Sequence, residues 1–124
     1  MSSSEQQTIS PIDGSVYVTR QQADRQTVNA TLDRARAAWQ AWKTLPLQER
    51  KTLCSKAIDA LVARKDEIAA ELTWQMGRPI RSAAGEVGGM EERARTMIEL
   101  ADEGLQPVKL PEKDGFERWI QREP

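Results

Sequence analysis

From Asp24 to Leu105 the apolar residues of this chain recur at steps of three and four, broken at only a few Pro- and Gly-bearing points. That spacing puts them on one side of successive helices, and each such stripe must lie against something. Val28, Leu32, Ala35, Trp39 and Trp42 mark the first stripe, with Asp24 placed to cap the helix and Lys43 suited to its C-terminal end. Pro46 opens a second helix, where its missing N–H costs nothing, and Leu53, Ala57, Ile58, Leu61 and Val62 point inward. A break is expected near Arg64-Lys65-Asp66, with Asp66 capping a continuation that carries Ile68, Leu72 and Trp74. Gly77 then supplies a left-handed cap and Pro79 blocks propagation. A last long helix runs from about Ser82 to Leu105, its stripe formed by Val87, Met90, Ala94, Met97, Ile98, Ala101 and Leu105.

The ends of the chain have a different character. Residues 1–7 are small and polar and are expected to form a disordered tail, with a β-hairpin over 8–20 turning at Pro11-Ile12-Asp13-Gly14. After a proline-punctuated loop beginning at 107, "FERWIQREP" reads as an extended strand carrying Phe116, Trp119 and Ile120. The fold class is therefore mainly α: three to four amphipathic helices over 21–106, a short N-terminal hairpin and a C-terminal strand.

Several function classes are disfavoured by what the chain lacks. There is no histidine, which removes the commonest general base and metal ligand. Eighteen basic against nineteen acidic side chains, a net charge of −1, leave no basic footprint for nucleic acid or an anionic membrane. The opening "MSSSEQQTIS" has neither the basic nor the apolar region of a secretory signal, and no apolar run reaches membrane-spanning length. With one cysteine and hence no internal disulfide, the simplest compartment is the cytoplasm.

Candidate sites dissolve on inspection. Gly85, Gly88 and Gly89 in "AAGEVGGM" match neither a dinucleotide fingerprint nor a phosphate loop, so they read as small residues allowing close packing. Cys54 lies beside the apolar stripe of the second helix and reads as a buried, inert thiol. Glu91-Glu92 and Asp66-Glu67 are sequence neighbours on helices, so each pair diverges by about 100° and cannot face a common proton. No His, Cys, Asp or Glu group has metal-ligand spacing. Trp39 and Trp42 read as core residues, whereas Trp74 and Trp119 fit either a core edge or a covered surface. No catalytic, cofactor-binding or metal-binding residue is assigned.

The order of motifs carries a resemblance. The hairpin "SPIDGSVYV", the arginine-bearing "PLQERK", the run E-L-x-x-x-x-G-R-P from Glu71 to Pro79, the pair Glu86-Val87 and the closing "REP" together resemble the N-terminal part of the NAD(P)-dependent aldehyde dehydrogenase superfamily. The resemblance implies that the helices pack on a cofactor-binding domain within an α/β fold, and that 107–124 begins the bridging sheet used for oligomerisation. It implies a chain cut short at 124, because the family's catalytic cysteine, general-base glutamate and cofactor-binding lysine and glycines all lie further on. NAD or NADP and a small-molecule aldehyde would belong to the full-length enzyme, with no cofactor bound by this chain alone. Its partners would be further copies of itself or the missing remainder of the enzyme. A non-enzymatic helical protein that binds another subunit through an uncovered face is the competing reading.

Overall fold

The computed structural model describes residues 5–122. In chain order it contains β1 (Glu5–Ile9), β2 (Val16–Gln21), α1 (Arg25–Trp42), α2 (Leu47–Val62), α3 (Lys65–Met76), α4 (Ile80–Gly104), β3 (Val108–Lys109) and β4 (Trp119–Ile120). Residues 1–4 of the expected tail and 123–124 of the closing motif lie outside the described residues.

The hairpin is longer than its sequence suggests. Glu5, Gln6 and Gln7, read as tail, pair with Gln21, Arg20 and Thr19 in an antiparallel ladder. Backbone pairing is blind to side-chain polarity, and these residues sit on an exposed two-sided ribbon where apolar alternation is not required. The turn is where Asp-Gly puts it. Gly14 takes φ 76°, the Asp13 carboxylate accepts from the Ser15 N–H at 3.0 Å, and the Ser10 N–H donates to the Ser15 carbonyl at 2.8 Å. Ser10 is fully buried by this closure.

Asp24 caps α1 as its position predicts, its carboxylate accepting from the Thr27 N–H at 2.7 Å. The Thr27 backbone N–H, and after it the Thr27 side chain, hold the Asp24 carboxyl below its ordinary 3.8. A depressed carboxyl lends stability above its unfolded value and loses it as pH falls through the folded one. Asp24→Ala is thus expected to reduce helical circular dichroism near neutral pH and to match the parent well below pH 3.8. Equal helicity at neutral pH would contradict the capping role.

The other boundaries differ in detail. Lys43 is the C-cap residue itself rather than a last-turn residue. The break between α2 and α3 falls where expected, but Arg64 occupies the cap position without a side-chain capping bond, and Asp66 lies inside the first turn, where its charge suits the helix dipole. Gly77 closes α3 at φ 75°. A Cβ there would also meet Pro11 Cγ at a tight 3.0 Å, so the hairpin tip lies against this cap and both the backbone angle and the close approach favour glycine. Pro79 does not merely stop a helix. It is the N-cap of α4, which therefore begins at Ile80, two residues before the expected Ser82.

Helix packing is carried by α4, which lies against both α2 and α3. Among the described residues the buried apolar side chains are Ile58 of α2, Ala69 of α3, and Ala83 and Val87 of α4. Ala83 and Val87 are four residues apart and share one face. Ion pairs brace the same seam: Arg95 of α4 reaches Asp59 of α2 at 2.7 Å and Glu91 on its own helix at 2.9 Å, while Lys51 and Gln48 of α2 both bond Asp102 near the end of α4. Among the described residues α1 makes no packing against another element as extensive as that of α4, and none of its residues is buried.

The strand in "FERWIQREP" is short and pairs within this chain. Trp119 and Ile120 pair antiparallel with Lys109 and Val108, the front of the segment read as an irregular loop. A Lys113–Phe116 bridge and Gly115 at φ 75° close this second hairpin. Prolines 107 and 111 flank the two strand residues without interrupting them, which is why a proline-punctuated reading hides a strand.

Candidate functional site

Glu91 and Glu67, both among the carboxylates singled out in the sequence, lie in ion pairs on the helices. Among the described residues no three His, Cys, Asp or Glu side chains are grouped so as to hold a metal ion. Glu91 belongs to the Arg95 brace, and Glu67 is held by Arg64, whose Nε donates to it at 2.8 Å. Neither carboxylate faces its sequence neighbour across a cleft. Arg78 and Glu86 pair at 2.5 Å across the start of α4.

Three of the sequence expectations fail here. Cys54 is exposed, not buried. Its neighbours Leu53 and Ala57 are exposed as well, and Ile58 alone turns into the seam of α2, so the apolar stripe of that helix is wider than the face α4 covers. A methyl group added at Gly85, Gly88 or Gly89 would meet nothing within 4 Å, so no described part of this chain packs close to the glycines of α4. Trp39 does not enter a core either, while Trp42 is half-buried. Trp39 remains 43% exposed, with the Lys43 ammonium 4.6 Å from its ring centre.

What the geometry does present is apolar surface without cover. Val28, Leu32 and Trp39 on α1, Leu53 and Leu61 on α2, and Met97 and Leu100 on α4 are all exposed. At the C-terminal end of α4, an open cleft of about 1200 Å³ is lined by Met97, Leu100, Leu105 and Val108, with Arg122 at its edge donating to the Gly104 carbonyl. Phe116 and Trp119 on the second hairpin are 65% and 56% exposed. So large an apolar exposure on a small chain is the usual mark of an interaction face. One polar group points the same way. Arg50, from "PLQERK", has its Nε shielded from solvent with no acceptor among the described residues, although buried donors are normally paired.

One junction has no signal in the sequence. Tyr17 of β2 stacks on Trp74 of α3, ring centres 6.2 Å apart and planes 7° from parallel, and its hydroxyl donates to Glu71 Oε1 at 2.8 Å. Glu71 and Trp74, three apart, share a helix face, but nothing along the chain ties that face to a residue 54 positions before Glu71. The Glu71 hydrogen bond raises the Tyr17 phenol above its ordinary 10.0. A raised phenol lends stability while protonated and loses it as pH rises through the folded value. Tyr17→Phe is expected to keep the stack and speed amide exchange in β1 and β2 at neutral pH, with the difference from the parent vanishing above that value. Unchanged exchange in the variant would remove the hydroxyl from the anchor.

Comparison with known proteins gives a consistent result. The family model described as "Aldehyde dehydrogenase family" matches residues 1–124. A succinate-semialdehyde dehydrogenase [NADP(+)] of Deinococcus radiodurans is 28% identical over 108 residues, spanning 87% of this chain and 23% of its own length. A probable succinate-semialdehyde dehydrogenase [NADP(+)] of Synechocystis sp. is 36% identical over 98 residues, 79% of this chain and 22% of its own. The crystal structure of succinic semialdehyde dehydrogenase from Streptococcus pyogenes with NADP+ superposes with a TM-score of 0.82 at 28% identity, covering 93% of this chain and 25% of that one. The chain thus spans about a quarter of the length of the relatives it matches.

Proposed function

The chain belongs to the aldehyde dehydrogenase family, and from that premise we propose that it is the N-terminal helical scaffold of an enzyme that oxidises an aldehyde to a carboxylic acid with NAD or NADP. The single observation that carries the proposal is the uncovered apolar surface of the described residues, above all Val28 and Leu32 on α1, a helix none of whose residues is buried. In this reading α1 and the α4 cleft dock against the rest of the enzyme, and Arg50 finds its acceptor there. The chain holds no catalytic residue and binds no cofactor alone. Its part is to fix the packing angles of α2, α3 and α4 on the cofactor domain. The cytoplasm is its compartment, and its partners are the remainder of the enzyme or further copies of itself. The hairpin of β3 and β4 begins the bridging sheet. No observation favours the competing reading of a non-enzymatic subunit-binding protein.

The purified chain, given NAD+ or NADP+ and a panel of aldehydes that includes succinate semialdehyde, is expected to show no turnover above blank. A chimera in which it replaces the matching quarter of the Streptococcus pyogenes enzyme is expected to reduce NADP+. Sedimentation of the chain alone should show association that grows with concentration, since an uncovered apolar face and short open strand edges both favour it. Turnover by the lone chain, or a well-folded but inactive chimera, would overturn the proposal.

A further inference from the structure

We draw no further inference here: the strongest candidate, the bare apolar stripe of α1 running through Val28, Leu32 and Trp39, belongs to the docking face already described, and nothing in the structure shows what else covers it.

Discussion

Val87→Asp is expected to abolish the cooperative thermal transition of the isolated chain. Val87 is 4% exposed on α4, one turn from the fully buried Ala83, on the helix that packs on both α2 and α3. Few apolar side chains are buried with it, so the packed seam is small and each member carries a large share of the stability. A carboxylate forced into that seam without a partner costs about 3–5 kcal/mol, comparable with the whole stability of a marginal domain. The alternative, protonating the carboxyl, lowers that cost but leaves a polar group where none is satisfied. Val87→Ala removes two methyl groups and leaves a small void, so its expected cost is about 2 kcal/mol, a lowered midpoint with the transition intact. Circular dichroism melts of the three proteins distinguish these outcomes. A Val87→Asp melt superimposable on the parent would mean that the α2–α3–α4 seam is not the chain's core.

That ranking rests on which stripes are covered, and this is where sequence and structure part company. The periodic spacing points to three to four helices where the structure has four. The end of α3 at Gly77 is visible because left-handed geometry is a local property of one residue, whereas the break near Arg64 forms without the cap read at Asp66. The resemblance carried by "PLQERK", Glu71 to Pro79 and the closing motif pointed to the family that the comparisons then identified. Coverage is not local. Val28, Leu32, Leu53 and Met97 obey the same three-and-four rule as Val87, yet they are exposed and it is buried. A stripe records that a helix face is meant to be covered and says nothing of whether the cover lies within the same 124 residues. Cys54 illustrates the consequence: its neighbours Leu53 and Ala57 suggest burial, yet both are exposed with it, and of Leu53, Ala57 and Ile58 only Ile58 is buried. Pairings between distant segments are equally silent. Tyr17 meets Trp74, and Val108 meets Ile120, through tertiary geometry that spacing along the chain does not encode. The carboxylate pairs are legible to the extent that helix geometry separates sequence neighbours, but the ion pairs that engage them, Arg95 with Glu91 and Arg64 with Glu67, are set by the folded helices.

Hydrogen exchange should therefore divide the helices, with amides of α1 exchanging at least about 100-fold faster than those of Ala83–Arg95 in α4. An 18-residue helix in water is only marginally stable by itself, and helices in proteins owe most of their stability to the packing of one face. The α1 helix has the cap at Asp24 but buries none of its residues, so local opening should cost little. Opening α4 means separating it from both α2 and α3, which approaches global unfolding. The same reasoning predicts opposite sensitivities in two settings. In the isolated chain, Leu32→Glu touches an exposed side chain and should change stability by no more than about 0.5 kcal/mol. In the chimera with the Streptococcus pyogenes enzyme, where the stripe is expected to be covered, the same substitution buries an unpaired carboxylate and should lower NADP+ reduction by roughly tenfold or more through loss of folded enzyme. The α1 amides of the chimera should at the same time gain the protection they lack in the isolated chain. Equal protection of α1 and α4 in the isolated chain, at concentrations where it is monomeric, would mean that the stripe is already buried and that the docking face lies elsewhere.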